Sequence, residues 1–429
     1  MIEEFSFGNF RSFKDIQTLK MTAAKIKSKN PTLDIDNIFP VQDNLNLLKS
    51  KAIYGANASG KSNIVEFFRT FKVIIENSVR DNRCLVLASS FALSTETVNE
   101  PAFFQLVFRI DNIRYRYGFE ADSESIKSEW LFSTPKKREQ TLFLREANML
   151  TEVNQTHFNE GVLYQKIFKN TDKQLFTPTT LFLTHLASTG FGIISKEISE
   201  YISAIVVLKE ISSKEWLNVA GDFLDKTKSK KFILELLKKA DIGIVNLRSV
   251  DLTIQDLGND TNSNTKKSFE KDWTIFSSRT IFNRNLEPDG ENDFSFDIHE
   301  SEGTKKMFEL SPHIFMALNH GTPLIIDEFD ARLHPLLTRK IIELFNSSAN
   351  KKNAQLIFTT HDTNLLSSEI LRRDQIVFVE KDKYGASHLY TLVEIKGVRN
   401  DASFEKDYIQ GKYGAIPFLG DFSNLIDAD

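Results

Sequence analysis

Residues Gly55-Ala56-Asn57-Ala58-Ser59-Gly60-Lys61-Ser62 constrain this chain more than any other stretch. Their spacing, G-x-x-x-x-G-K-S, is that of a phosphate-binding loop. Gly55 and Gly60 let the backbone curl so that successive N–H groups point inward at phosphate oxygens. Lys61 brings a positive charge to the β- and γ-phosphates, and the Ser62 hydroxyl suits Mg²⁺. The helix that follows starts near Gly60 and continues through Asn63, and its N-terminus favours an anion. The context agrees with the letters. Lys51-Ala52-Ile53-Tyr54 has the character of a short buried strand, and Asn63 to Phe68 carries apolar residues at helical spacing. ATP and Mg²⁺ are therefore the expected ligands.

At 429 residues the chain exceeds one ordinary core, so two lobes or a core with a large insertion are expected. Phenylalanine is over-used, with 36 against 9 Tyr and 3 Trp, and lies mostly in apolar runs where packing explains it. A net charge of −4 argues against a whole-surface field for nucleic acid, so any DNA contact has to come from local patches such as Lys25 to Lys29, Lys136 to Arg138 and Lys226 to Lys231. The single cysteine, Cys84, allows neither an internal disulfide nor a thiolate metal site, and fits a reducing cytoplasm. The acidic start Met1-Ile2-Glu3-Glu4 does not read as a signal peptide, and no apolar run approaches ~18 residues.

Taken in order, Ile2 to Met21 alternates as two or three short strands (Glu4 to Phe7, Phe10 to Phe13, Gln17 to Met21), and the polar stretch Thr22 to Asn46 reads as a loop. The loop helix runs to about Val79. Phe103 to Phe108, Ile113 to Phe119 and Trp130 to Phe132 then alternate as an antiparallel lobe. From 134 to 243 helical spacing dominates, near Leu181 to Ala187, Lys196 to Val206, Ser212 to Leu224 and Lys230 to Lys239, without the heptads of a long coiled coil. Asn259 to Lys267 reads as a loop. Asp272 to Phe282 and Asp293 to His299 read as strands joined through Pro288-Asp289-Gly290. Strand–helix alternation closes the chain: Leu324 to Asp327, Leu336 to Ser347, Gln355 to Thr360, a helix from about Asn364, Gln375 to Glu380 and His388 to Thr391. The expected organisation is 1–133 as the first half of a nucleotide-binding head, 134–243 as a mainly helical insertion and 244–429 as the second half. The fold class is α/β, a mixed-sheet P-loop core with an antiparallel β lobe.

Three further motifs carry chemistry. The run Leu324-Ile325-Ile326-Asp327-Glu328 ends an apolar strand in two acids, with Asp327 suited to the Mg²⁺ shell and Glu328 to activating water. In Glu300-Ser301-Glu302-Gly303-Thr304, Ser301 and Gly303 precede a helical run and sit like the Ser and Gly of an ABC signature; the same letters also suit an ordinary helix cap. In Phe358-Thr359-Thr360-His361-Asp362, His361 ends a strand one unit later and can contact a γ-phosphate. Between these, Asp330 to Pro335 holds His334, read as structural rather than as a metal ligand. The catalytic candidates are thus Lys61, Glu328 and His361.

This order of motifs resembles the ABC-type ATPase heads of the SMC, RecF and OLD group. It is most similar to the stand-alone ATPases of phage-defence loci: the RloA type, the AbiL ATPase and the AriA subunit of PARIS. Asn9-Phe10-Arg11-Ser12-Phe13, Tyr115 to Phe119, Glu129 to Phe132, the signature, Asp327 to Pro335 and Tyr413 to Pro417 carry that narrower likeness. The resemblance implies an ATP-sandwiched homodimer or higher oligomer, with Ser301 and Gly303 facing ATP on the opposite subunit and Arg11 approaching the nucleotide. It also implies an effector partner, a Toprim-type nuclease or other toxin. No clear Gln-loop is present; Gln105 has a plausible position but lies in a strand-like run. No Toprim-type acidic cluster is attached.

Three functions compete. The first is a cytoplasmic ATPase controlling an effector in anti-phage (abortive infection) defence. The second is a RecF- or SMC-like DNA-repair ATPase. The third is a scaffold that binds ATP without turnover, against which Lys61 and Glu328 together argue. A transporter ATPase fits less well, and no membrane partner is expected.

Overall fold

The computed structural model describes residues 1–42, 44–168, 177–190, 192–209, 214–251, 273–399, 402–417 and 420. In chain order its elements are β1 (Ile2–Gly8), β2 (Gln17–Lys20), α1 (Leu33–Asp36), β3 (Ile38–Gln42), β4 (Leu45–Leu48), β5 (Ser50–Gly55), α2 (Lys61–Asn77), β6 (Ala102–Ile110), β7 (Ile113–Ala121), β8 (Ile126–Thr134), β9 (Gln140–Glu146) and β10 (Met149–Val153). Next come α3 (Asn159–Phe168), α4 (Phe182–Ser188), α5 (Ile193–Ser203), β11 (Val206–Leu208), α6 (Lys214–Leu224), α7 (Thr227–Lys239), β12 (Asn246–Asp251), β13 (Trp273–Phe282), β14 (Pro288–Ser295), α8 (Phe296–His299) and α9 (Glu302–His320). The last are β15 (Leu324–Ile326), α10 (Pro335–Asn346), β16 (Leu356–Thr359), β17 (Ile376–Lys381), β18 (Ser387–Thr391) and α11 (Phe404–Ile409). Contacts gather them into two compact units. Unit 1 comprises 1–209, 321–329 and 339–429; unit 2 comprises 210–320 and 330–338.

Unit 1 contains two large sheets. One is antiparallel, in the order β10-β9-β8-β7-β6-β1-β2. The other, β11-β15-β16-β5-β17-β18, is parallel except for β18. Its central strands are fully buried and, apart from Ser50 and Lys51 at the start of β5 and Thr359 at the end of β16, apolar, as a sheet covered on both faces requires. One continuous core joins both sheets to α2. The phenylalanines concentrate there. Phe67 of α2 lies 5.5 Å from Phe5, 4.9 Å from Phe7 and 5.3 Å from Phe104, ring centre to ring centre, and Phe71 stacks on Phe119 at 5.5 Å. The buried Glu129 carboxylate accepts the N–H groups of Phe182 (2.7 Å) and Leu183 (2.9 Å), so it caps α4, and the wholly buried Arg145 neutralises it at 3.0 Å.

Unit 2 is a three-stranded antiparallel sheet, β12-β13-β14, with helices α6 to α9. Phe223 of α6 and Phe232 of α7 meet Phe315 of α9, and the Trp273 indole donates to Asp222 at 2.9 Å. Pro312 stands inside α9 and has no N–H for the Phe308 carbonyl; the Ser311 hydroxyl donates to that carbonyl instead, at 2.6 Å.

Several sequence expectations change. Phe10 to Phe13 is not a strand but a tight turn closed by mutual N–H···O bonds of 2.9 Å, with Asn9 and Arg11 at positive φ. The stretch read as a loop, Thr22 to Asn46, holds α1, β3 and the first half of β4; Pro40 is tolerated there because the β3–β4 pair is a separate two-stranded sheet. Strands β9 and β10 lie in the segment expected to be helical and extend the antiparallel lobe. Pro288-Asp289-Gly290 is strand, not turn, because the Asn283 side chain accepts the N–H groups of Asn285 (2.9 Å) and Glu287 (3.0 Å) and so reverses the chain earlier. Asp293 to Ser295 completes that strand, while Phe296–His299 is a short helix. The helix expected from Asn364 is only a 3₁₀ turn, Thr363–Leu365, capped by Asp362. The loop expected at Asn259 to Lys267 lies outside the described residues. Among the described residues the longest helix is α9, with 19 residues, so no coiled-coil arm is present there.

Phe67→Ala removes the ring at the centre of the aromatic layer. It is expected to destabilise unit 1 by about 3–5 kcal/mol, read as a lower urea midpoint by circular dichroism with folded secondary structure retained in buffer.

Candidate nucleotide site

Strand order assembles the site. β16 lies between β5 and β15, parallel to both, with Phe358 opposite Ala52 on one side and Ile326 on the other. All three strands therefore end at one edge of the sheet, where open α/β sheets bind ligands. The P-loop leaves β5 there, Asp327 and Glu328 follow β15, and His361 follows β16.

The loop is built to curve around an anion. Ala58 has φ 60° and Gly60 φ 112°; a Cβ at Gly60 would stand 2.5 Å from the Ser387 hydroxyl oxygen and 2.7 Å from that of Ser12. Ser387 braces the loop from β18: its hydroxyl donates to the Ser59 carbonyl at 2.6 Å and its oxygen lies in hydrogen-bond contact with Ser12 Oγ at 2.9 Å, while Asn63 Nδ2 donates to Ser12 Oγ at 2.8 Å. Lys61 Nζ lies inside the loop, donating to the carbonyls of Gly55 (2.9 Å) and Ala56 (3.0 Å). Asn57 and Ala58 form its exposed tip.

The acidic side of the site is tied to the loop by hydroxyls. Ser62 Oγ donates to Asp327 Oδ1 at 3.2 Å, and Thr359 Oγ1 donates to the same oxygen at 2.5 Å. Thr359 Oγ1 also accepts the Glu328 N–H at 2.8 Å. Glu328 has φ 47°, a left-handed conformation that costs a residue of this type about 1–3 kcal/mol. The Thr359 hydroxyl and the Phe329 N–H to Thr359 carbonyl bond (3.0 Å) hold it there, with its carboxylate exposed beside the buried Asp327. His361 is likewise exposed.

A hydroxyl and one carboxylate beside a phosphate loop are what Mg²⁺ needs, because that ion keeps several waters and takes its remaining ligands from phosphate. Among the described residues there is no group of three or more His, Cys, Asp or Glu that would make a rival metal cage.

A family described as "AAA domain, putative AbiEii toxin, Type IV TA system" matches residues 52–171 and 195–367, which include the P-loop lysine, the Asp-Glu strand and His361. This chain belongs to that AAA-domain family. No curated protein is significantly similar in sequence to the AAA-domain chain. Similar solved structures include an Smc head bound to the C-winged helix domain of ScpA (15% identity, covering 91% of this chain and 97% of that one, TM-score 0.42). An SMC head domain from Thermotoga maritima is 13% identical (91% and 98% covered, TM-score 0.41). An Smc head with an extended coiled coil, bound to the C-terminal domain of ScpA and derived from Pyrococcus furiosus, is 14% identical (96% and 98% covered, TM-score 0.40). At scores below 0.5 these likenesses add nothing to the strand order and motif placement above.

The structure brings Gly55 to Asn63, Asp327, Glu328 and His361 to one sheet edge. Arg11 instead pairs with Glu66 of α2 at 3.2 Å, alongside Arg69 (3.0 Å) and Lys209 (2.9 Å). Burial would raise the Glu66 carboxyl, but these three cations hold it below the usual carboxylate range. Gln105 lies within β6, where its Oε1 accepts the Trp130 indole N–H at 3.1 Å, so it is a lobe residue and not a Gln-loop. His334 Nδ1 accepts the Leu336 N–H at 3.2 Å and serves the first turn of α10.

Ser301 and Gly303 belong to unit 2. Ser301 Oγ accepts the Thr304 N–H at 3.2 Å, a helix cap for α9. A Cβ at Gly303 would lie 2.9 Å from the Arg332 carbonyl, so only glycine lets segment 330–338 pass so close to the first turn of α9. Glu300, just before the cap, is held by Ser277 (2.7 Å) and Arg279 (2.6 Å) of β13.

Sequence reasoning missed Thr359, Ser12 and Ser387. The signal for Thr359 was a hydroxyl at the end of the strand that carries the histidine. Ser12 and Ser387 are 375 positions apart and meet only through folding.

Thr359→Val keeps the volume and removes both hydroxyl bonds. We expect nucleotide affinity close to wild type and a turnover number lower by about tenfold to a hundredfold, the kinetic equivalent of about 1–3 kcal/mol, measured by phosphate release under saturating ATP.

Proposed function

We propose that this chain is a Mg²⁺-dependent ATPase that dimerises around ATP and serves as the sensor or scaffold subunit of a bacterial anti-phage system, controlling a partner nuclease or toxin. The observation that carries the catalytic part is the set of hydroxyl bonds from Ser62 and Thr359 to the Asp327 carboxylate, with Thr359 also accepting the Glu328 N–H, which holds a carboxylate for the ion and the backbone of a second acid beside one phosphate loop. The family's own description, a toxin of a type IV system, supports the defence part.

In this reading the loop N–H groups and Lys61 bind the phosphates, Lys61 exchanging the loop carbonyls for phosphate oxygens. Mg²⁺, held by Ser62 and Asp327, would neutralise charge on the transferred phosphoryl group. Glu328 takes the proton of the attacking water; its exposed carboxylate at the sheet edge leaves room for that water. His361 orients the water or reports the γ-phosphate. Ser301 and Gly303 of a second copy close over the γ-phosphate, so these contacts exist only with ATP bound and nucleotide state sets the dimer equilibrium.

Glu328→Gln is expected to lower turnover by roughly a hundredfold or more and to accumulate an ATP-bound dimer in light scattering. Lys61→Ala should stay monomeric and bind no ATP. A Glu328→Gln chain that hydrolyses ATP at the wild-type rate, or remains monomeric with ATP, removes the reading.

A second reading, direct action on DNA, is favoured by α7 and its N-cap, where Lys226, Lys228, Lys230, Lys231, Lys238 and Lys239 face a single acid, Glu235. It predicts duplex binding that weakens steeply between low and moderate salt in fluorescence anisotropy. No detectable affinity at low salt excludes it.

A further inference from the structure

Unit 1 contains a cavity of about 340 Å³ at the opposite end of β5 from the P-loop. Its most unusual lining group is Lys51. This side chain is nearly inaccessible, yet among the described residues its ammonium makes one hydrogen bond, to the Lys20 carbonyl. Among the described residues no carboxylate lies within ion-pair distance of it. The two acids on the cavity lining are already engaged. Both oxygens of Asp374 are taken by Arg372 (3.0 and 2.8 Å), one of them also by the Ala24 N–H (2.7 Å), and Glu394 accepts the Thr391 N–H at 2.6 Å. A buried ammonium without an ion-pair partner is costly. Burial accordingly brings the Lys51 pKa down to about 8, against the opposing pull of Asp374 and Glu394 and with Lys20 adding to the fall.

The cavity therefore has a cation with unused donors at its polar end. Leu389 and Val393, both half-buried, form apolar wall. We propose that this cavity binds a small organic monocarboxylate, with its oxygens on the Lys51 ammonium and its hydrocarbon body against Leu389 and Val393. A dianion such as phosphate is disfavoured by Asp374 and Glu394 on the same lining. The volume is at the small end of ligand sites and suits a molecule of a few carbon atoms. The site is separate from the nucleotide loop: Lys51 precedes Gly55 by four residues, roughly 13 Å along a strand. The inference does not depend on ATP turnover or on any partner protein.

The test is isothermal titration of the full chain with sodium isovalerate, with sodium phosphate and sodium chloride at matched ionic strength as controls. Saturable binding of isovalerate in the roughly millimolar range is expected, with none for the controls. The charged groups around Lys51 are Lys20, Asp374, Arg372 and Glu394; Lys51 is the one that loses its proton near pH 8. Affinity should thus fall about tenfold from pH 7 to pH 9 as the ammonium is lost. Lys51→Met should abolish binding. Val393→Trp, which fills the cavity and leaves Lys51 in place, should weaken it strongly and decides the matter should Lys51→Met fail to fold. No isovalerate binding at pH 7, binding independent of pH, tighter binding of phosphate, or binding retained in Lys51→Met or Val393→Trp overturns the proposal.

Discussion

The parallel pairing of β16 with both β5 and β15 is the constraint on which the rest depends. It brings two segments some 270 residues apart in sequence, the P-loop and the Asp-Glu strand end, to the same edge of one sheet, with a single strand between them. Strand spacing in a sheet is about 4.8 Å, so the ends of β5 and β15 are separated by about two such steps. Side chains alone can close that gap. Ser62 and Thr359 do so on one oxygen of Asp327.

Thr359 has a further effect. By accepting the Glu328 N–H it stabilises a backbone conformation that glutamate avoids. The strain is confined to the one residue whose carboxylate has to leave the plane of the buried strand and reach solvent. Local backbone cost at a functional position is thus offset by a hydrogen bond from the neighbouring strand, and by the burial of Ile325, Ile326 and Phe329 on either side. The loop is stabilised in the same manner from its other side, where Ser12 and Ser387 meet beneath Gly60. The turn at Asn9 to Phe13, although not a strand, is what carries Ser12 to that place.

The phenylalanine excess has a plain structural meaning. α2 begins at the P-loop lysine, and its aromatic face is packed into the antiparallel sheet through Phe5, Phe7, Phe104 and Phe119. The helix that begins at the P-loop lysine is therefore anchored along its aromatic face in the core of unit 1. The three cations gathered on Glu66 strengthen the same helix, and Lys209 among them is the last residue before the chain passes into unit 2.

The sequence by itself determined the strand–loop–helix at Gly55 to Phe68, the acidic strand end at Asp327 and Glu328, the first three strands of the antiparallel lobe, and the order of motifs that marks the family. These are legible because each depends on local chemistry: glycines that permit curvature, apolar runs of strand length, residues alternating with period two. Only the tertiary structure decided that Arg11 belongs to Glu66, that Gln105 is held by Trp130, that Asn283 and not Pro288-Asp289-Gly290 makes the hairpin turn, and that Thr359, Ser12 and Ser387 support the site. Each of those outcomes depends on a partner supplied by folding or on a side chain bonding to nearby backbone, and neither is written in periodicity. The same holds for Lys51, which in sequence is one more lysine before a P-loop and in the fold is a buried ammonium facing a cavity.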